Sequence, residues 1–398
     1  MSLSAATLIN GDGQTVKYAN VTELIGNTAQ HKTEYTYSID RYDYTSSINT
    51  YPFASGIARD WRSGLLLTTR VYERLSNGAY RVLNSTNTNY TFYEETANER
   101  VGLKFGATVN GGFRLLNYRS STEWMPKIRE IDTVFNYFNT TVPQLQIQTR
   151  DYNYNKNNSY SLSGWTTLNS KNDRIKMNFT YAGDYADPSG FSVPALKSNN
   201  MVELSIKKEQ SINGSIVDGE IIRYDGLGRP VEVYSFESDS PVDTSIVNPS
   251  FVLTPGYTSR NHIRYNNTRS PQIAEVQASD GVFVSYLWSY QGKHAIAELT
   301  NLSYEQIKAV ISENAINAFS DLVNPTKAEI DSFISPLRTN FPEAQIITYS
   351  YKPLVGLTTQ TDPKGRTTYY EYDDFGRLKW IKDQNGNIVK ENQYHYRN

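Results

Sequence analysis

The chain contains no cysteine. That excludes a disulfide framework, a thiolate zinc site, an iron–sulfur cluster and a cysteine nucleophile. It contains no run approaching the ~20 consecutive apolar residues of a membrane-spanning helix. Its first ten residues, MSLSAATLIN, have neither the basic stretch nor the apolar stretch of a secretory signal. Neither charge is in excess: 39 Lys and Arg face 41 Asp and Glu, a formal charge of −2. Nucleic-acid binders carry a basic surplus, so that class is disfavoured. Methionine is scarce, at 4 residues, and the four histidines, His31, His262, His294 and His395, are far apart.

Tyrosine fills the space. There are 31 of them, twice the 15 phenylalanines. A phenol offers an apolar ring with a wet tip, and Tyr, Thr, Val and Ile suit a pleated, half-buried surface. The composition therefore points to β-sheet with much exposed face. A chain of 398 residues suggests two or three cooperative units.

Strand and turn signals alternate along most of the chain. Leu65–Tyr72 and Tyr80–Leu83 flank Asn77-Gly78, which reads as a two-residue hairpin turn. Residues 14–18 follow a Gly-Asp-Gly turn at 11–13, and Phe113–Tyr118 follows Asn110-Gly111-Gly112. Gln146–Tyr152 and Arg174–Tyr181 alternate polar with apolar residues, the mark of an antiparallel strand with one wet face. Phe191–Met201, with Pro194, reads as a seam before a strand at Met201–Lys207, and Ser238–Tyr257 as a long connection.

One segment departs from this texture. Ser303-Tyr304-Glu305-Gln306 and Thr326-Lys327-Ala328-Glu329 are both capping boxes, followed by apolar residues at helical spacing. They predict a helical hairpin, with Pro336 ending the second helix at Ser335. The expected fold is all-β: an antiparallel hairpin array with a short helical insert. Four segments are expected: a Tyr/Asn-rich β region over 1–200, a β region with a degenerate repeat over 201–302, the helical insert over 303–345, and C-terminal repeat hairpins over 346–398.

Two stretches repeat one another. Tyr224-Asp225-Gly226-Leu227-Gly228-Arg229 and Tyr372-Asp373-Asp374-Phe375-Gly376-Arg377 both read Tyr-Asp-x-apolar-Gly-Arg between strand-like runs. The Asp can accept from a backbone N–H two residues on, the Gly supplies the positive φ of a three-residue loop, and the Arg can pair with the Asp across the hairpin mouth. Turn glycines at Gly365, Gly376 and Gly386 give a strand about every ten residues.

The run from Asp362 to Asn387 resembles a YD repeat of the Rhs type. A Tyr-Leu-Trp-x-Tyr strand at Tyr286–Tyr290, the helical insert and a Lys-Pro-Leu-Val-Gly segment at Lys352–Gly356 precede it, as in large surface or secreted proteins of Bacteroidetes-like bacteria. The resemblance is specific over 280–398, moderate over 219–236 and weak before that. It implies a long coiled antiparallel sheet and an extracellular or outer-surface location, with any export signal upstream of this segment. It also implies a longer chain. Toxin-delivering members enclose an effector released by cleavage near an Asp-Pro-x-Gly motif. Here Asp362-Pro363-Lys364-Gly365 is followed by only 33 repeat-like residues, so no cleavage residue is carried over.

No strong catalytic constellation is present: no HExxH, no Walker A loop, no Gly-x-Ser-x-Gly elbow. Asp151-x-Asn153-x-Asn155-x-Asn157 resembles the start of a calcium loop, but Lys156 and Leu162 occupy its glycine and bidentate-Glu positions. Glu94 and Glu95 are adjacent on an expected strand and so point to opposite faces. Of Trp61, Trp124, Trp165, Trp288 and Trp380, Trp288 and Trp380 are candidate platforms for a stacked sugar ring, against the commoner role of covering a sheet face. The expected function is a non-catalytic exported scaffold of the Rhs/YD type, serving adhesion, cell contact or carriage of other domains. Its partners would be glycans or neighbouring surface proteins, and no cofactor or metal is expected. A carbohydrate-binding or glycan-active protein and a fragment of a toxin-encapsulating shell are the alternatives.

Overall fold

β-branched and aromatic residues recur at alternate positions in several of the strands, as in Arg174–Tyr181 and Gln345–Lys352. The structure is a computed structural model. It describes residues 18–26, 30–39, 62–91, 98–108, 110–122, 124–138, 141–156, 160–185, 192–243, 255–266 and 272–394. The expected turn at 11–13, the strand at 14–17, Trp61, Glu94, Glu95, Asn157 and His395 lie outside the described residues.

The chain forms two compact units, residues 1–179 with 209–216, and residues 180–208 with 217–398. The strands are β1 (Asn20–Ile25), β2 (His31–Tyr37), β3 (Leu66–Arg74), β4 (Tyr80–Tyr90), β5 (Asn98–Ala107), β6 (Phe113–Thr122), β7 (Lys127–Asn136), β8 (Gln144–Tyr154), β9 (Leu162–Leu168) and β10 (Arg174–Tyr181). Helix α1 (Val193–Ser198) precedes β11 (Ser205–Ile212), β12 (Ser215–Tyr224), β13 (Pro230–Phe236), β14 (Val242–Asp243), β15 (Tyr257–Tyr265), β16 (Ile273–Ala278), β17 (Phe283–Ser289) and β18 (His294–Thr300). Helices α2 (Tyr304–Val310), α3 (Glu313–Ser320) and α4 (Lys327–Asn340) come next. The chain then returns to sheet in β19 (Gln345–Lys352), β20 (Gly356–Thr361), β21 (Thr367–Tyr372), β22 (Leu378–Lys382) and β23 (Ile388–Glu391).

Within the first unit the antiparallel order is β1-β2-β3-β4-β7-β8-β9-β10. Strands β5 and β6 leave it as a two-stranded hairpin of their own, paired over ten residues from Asn98↔Thr122 to Ala107↔Phe113. In the second unit β12 pairs with β13 and β13 with β15, and from β15 to β23 each strand pairs antiparallel with the next.

The main core lies where helices meet sheet. Leu287, Ile296 and Leu299 from β17 and β18, Ile346 from β19, and Ile307, Ile316, Ile330, Ile334 and Leu337 from the helices are all buried together. A smaller cluster joins Val193 and Leu196 of α1 to Ile206 and Tyr224.

Both expected capping boxes form: Ser303 with Gln306, and Thr326 with Glu329, each satisfied reciprocally. The insert nevertheless holds three helices where a hairpin of two was expected, because Ser312 caps a further one by accepting from Ala315 N. Helix α4 also runs through Pro336 to Asn340. Proline removes one helical hydrogen bond, but Ile334 and Leu337 on either side of it are fully buried, and their burial holds the last turn in place. Residues 193–198 of the expected seam are helical, and the strand after them begins at Ser205 instead of Met201.

Candidate functional site

The residues that set this sequence apart sit at the hairpin turns. At 373–377 the Asp373 N–H donates to Arg377 O (2.8 Å), and Gly376 N donates to Asp373 O (2.9 Å). Asp373 Oδ1 accepts from Phe375 N (3.0 Å) and Arg377 N (2.9 Å), while Oδ2 accepts from Arg377 Nε (2.8 Å). One carboxylate thus holds the whole loop. Gly376 takes φ +73°, the left-handed residue that ends a three-residue loop. The register slips by one between Glu371 and Tyr372, as such a bulged turn requires.

The same set recurs at 225–229 and 362–366. Asp225 accepts from Leu227 N, Arg229 N and Arg229 Nε at 2.9, 3.0 and 2.7 Å. Asp362 accepts from Lys364 N, Arg366 N and Arg366 Nε at 2.9, 2.8 and 2.7 Å. At 383–387, Asn387 replaces the arginine and its Nδ2 donates to Asp383 Oδ2 at 2.9 Å. The backbone pair N(i) to O(i+4) and N(i+3) to O(i) also closes 75–79, 108–112, 169–173 and 278–282. The Asn77-Gly78 turn is therefore this five-residue form and not the two-residue turn expected.

These bonds set the electrostatics. Asp373 is held below the usual carboxylate range by the Arg377 side chain and then by its backbone N–H. Asp362 is lowered first by the Arg366 backbone N–H, and Asp383 first by the Asn387 side chain. Burial pushes Asp225 up, but the backbone and side chain of Arg229 outweigh it and the net shift is downward.

The flanking tyrosines complete the turn. Tyr372 Oη donates to Leu357 O at 2.9 Å, with its ring lying over Gly356. A Cβ on Gly356 would stand 2.5 Å from that hydroxyl oxygen. Tyr224 Oη likewise donates to Ser205 O at 3.0 Å. Two of the repeat arginines are covered by a tyrosine beyond the following strand or turn: Arg229 lies 4.6 Å from the Tyr265 ring centre and Arg377 4.5 Å from that of Tyr394. Arginine is thereby clamped between a carboxylate and a ring face.

Gly365 and Gly386 are the left-handed residues of the 362–366 and 383–387 turns, and Gly228 that of 225–229. The 362–366 and 383–387 turns, at one end of their hairpins, border an open polar pocket of about 350 Å³ lined by Gln360, Asp362, Arg366, Thr367, Asp383 and Asn385 among others. Its two carboxylates are the ones already holding the turns.

Trp288 and Trp380 are not brought together, one being on β17 and the other on β22. The Trp288 indole donates to Ile273 O at 2.8 Å. Trp380 donates to Glu391 Oε1 at 3.1 Å and has Lys379 Nζ 3.9 Å from its ring centre. Trp124 packs edge-on against Tyr154 and Tyr160, and the Trp165 ring lies under the Arg150 guanidinium. The described histidines sit on separate strands, β2, β15 and β18. Among the described residues no cluster of three or more His, Asp or Glu has the arrangement of a metal site.

Two features escaped sequence reasoning. The first is Tyr290, buried with φ +57°, whose hydroxyl accepts from Tyr351 N (2.8 Å) and lies within hydrogen-bond reach of the Pro325 and Tyr351 carbonyls. The Tyr-Gln-Gly sequence at the end of the Tyr-Leu-Trp-x-Tyr strand was the available signal. The second is a row of buried hydroxyls, with Ser350 to Thr359 at 2.5 Å and Thr361 to Thr367 at 2.9 Å. Only the register of β19, β20 and β21 brings these together, and no local pattern announces it.

Residues 355–388 match the family profile described as RHS Repeat. Among curated proteins none matches the chain. Among solved structures, the TcdB2-TccC3-TEV crystal structure covers 92% of this chain at 10% identity and a TM-score of 0.27. The Photorhabdus luminescens Tc holotoxin pore covers 92% at 13% identity and a TM-score of 0.23. This chain spans only 20% of the length of either. A porin-like protein from Bacteroides uniformis covers 92% of this chain at 9% identity and a TM-score of 0.17. Likenesses of this depth say nothing about function. The profile match contains the three carboxylate-held turns at 362–366, 373–377 and 383–387, so the chain carries an RHS repeat at residues 355–388.

Proposed function

We propose that this chain is part of a non-catalytic, exported or cell-surface scaffold of the Rhs/YD type, serving adhesion, cell contact or the carriage of other domains. The observation that carries the reading is the repeated turn. Its Asp and Arg are the residues most suited to chemistry, and each is engaged in closing a hairpin: Asp225 with Arg229, Asp362 with Arg366, Asp373 with Arg377. A residue spent on strand geometry at every copy is a building element. In this reading Tyr224, Tyr372, the three Asp–Arg pairs and the turn glycines are structural, and strands are added one hairpin at a time.

The test is the mass and location of the native protein. An antibody to residues 272–394, combined with proteolysis of intact cells, should find a protease-accessible surface chain much larger than 45.2 kDa. A protected cytosolic chain of that mass would overturn the proposal.

A further inference from the structure

The β5–β6 hairpin differs from the other described hairpins. Among the described residues it pairs only with itself, and its register puts Val101, Leu103, Phe105 and Ala107 on one face, opposite Arg119, Asn117, Leu115 and Phe113 in turn. That face is bare: Phe113 is 85% exposed, Phe105 66%, Val101 61%, Leu103 53% and Leu115 53%. The other face carries Gly102, Lys104, Gly106, Arg114 and Leu116, with Lys104 and Arg114 both exposed. Apolar surface of this extent on one small element marks an interaction site.

Charge identifies the partner. Residues 100–119 hold four cations, Arg100, Lys104, Arg114 and Arg119, and no acid, within a chain whose net charge is −2. The nearest acids in the sequence are Glu99 and Glu123. An apolar face backed by a cationic one is what an anionic lipid surface accepts. A second copy of the hairpin would bring the same cations together, and five apolar side chains fall far short of the ~20–30 residues a side of a stable protein interface. Among the described residues no strand pairs with either outer edge of the hairpin, and as a two-stranded element it cannot cross the hydrocarbon core, where backbone groups must be satisfied internally. It can lie at the headgroup boundary, where water reaches those edges.

We infer that the β5–β6 hairpin is a membrane-contact element: Leu103, Phe105, Phe113 and Leu115 seat at the acyl boundary of an anionic bilayer while Lys104 and Arg114 meet the headgroup phosphates. This contact is independent of the scaffold reading. The full chain is tested by flotation with phosphatidylcholine vesicles, with and without about a third phosphatidylglycerol, at low and high salt. Binding is expected to the anionic vesicles only, and to fall with salt. The F105D/F113D double variant should abolish it, and K104A/R114A should weaken it roughly tenfold or more. Both sets of side chains are exposed, so the variants should melt like the parent.

A second measurement uses the absence of native cysteine. Phe113→Cys carrying an environment-sensitive fluorophore should shift to the blue on anionic vesicles, and a label on Asn77→Cys, in the β3–β4 turn, should not. No binding at low salt, equal binding to neutral vesicles, or parent-like binding by F105D/F113D would each overturn the inference. So would self-association that F105D/F113D abolishes without any vesicle binding, which would assign the face to a second copy.

Discussion

At the scale of single residues, the carboxylate of the repeat turn outranks the charge pair it takes part in. Asp225 accepts two backbone N–H bonds and one guanidinium bond, and its side chain is only 23% exposed. Asp225→Ala should lower stability by roughly 1–3 kcal/mol in urea unfolding, because backbone donors lose their acceptor. Asp225→Asn keeps one acceptor oxygen and should cost less; equal losses would show that the backbone bonds do not matter. The sign of the pH dependence follows from the lowered pKa values of Asp225, Asp362, Asp373 and Asp383. Their contribution is fully present above the unfolded value near 3.9, and is lost as pH falls through the lower folded values. In a carboxyl NMR titration Asp373 should therefore protonate below about 3.9, and Arg377→Gln should move that midpoint upward. Glycine acts in two different ways. Gly376 has φ +73° and no atom within 4 Å of a built Cβ, so Gly376→Val should cost the left-handed strain alone, roughly 1–2 kcal/mol. Gly356→Ala should cost more, since its Cβ meets the Tyr372 hydroxyl; thermal melts of the two variants rank them.

At the scale of elements, helix α4 holds an internal conflict that mutation can release. Pro336 is its tenth residue, so the Ser332 carbonyl loses its helical donor. Pro336→Ala restores that donor and should raise stability by roughly 1–2 kcal/mol, the helical gain reduced by the freer unfolded chain. A lower melting temperature would mean that the proline's restriction of the unfolded chain outweighs the lost helical bond. This conflict also marks how far the elements were legible. Strands with a period of two declare themselves by pattern, and the capping boxes at Ser303 and Thr326 and the Asp–Gly–Arg turns declare themselves locally, since residues within four positions supply their bonds. The turn at 169–173 does not. There Asn169 takes the place of the Asp, Asn172 that of the Gly at φ +63°, and Asp173 that of the Arg, with Asn169 Nδ2 donating to Asp173 Oδ2 at 3.0 Å. The hydrogen-bond pattern survives with donor and acceptor exchanged, which a motif search does not see. Helix α1 is six residues long, too short to show a period, and its burial against Ile206 and Tyr224 decides its conformation.

At the scale of the whole molecule, the distribution of aliphatic burial decides which piece can stand alone. Among the described residues after 345, those buried are Ile346, Thr348, Ser350, Thr359, Thr361 and Thr367, one aliphatic side chain and five hydroxyls. Four of the hydroxyls bond in pairs across β19, β20 and β21, Ser350 with Thr359 and Thr361 with Thr367, and contribute little apolar surface. Ile346 is buried by Leu299 of β18 and by the helices, so a fragment of 346–398 exposes it and opens the β19 edge as well. Such a fragment should aggregate or stay unfolded, since an unpaired edge with no core beneath it recruits other strands. A fragment of 272–394 keeps the full helix–sheet core from Ala274 to Ile346 and should fold as a soluble unit. Circular dichroism and size-exclusion chromatography of the two fragments check this. A cooperatively melting monomer of 346–398 would mean that the hydroxyl row and the carboxylate-held turns suffice without the helical layer, so that the repeat hairpins are self-supporting. Failure of 272–394 to fold would mean that the core, although complete, needs the strands before β16 to nucleate it.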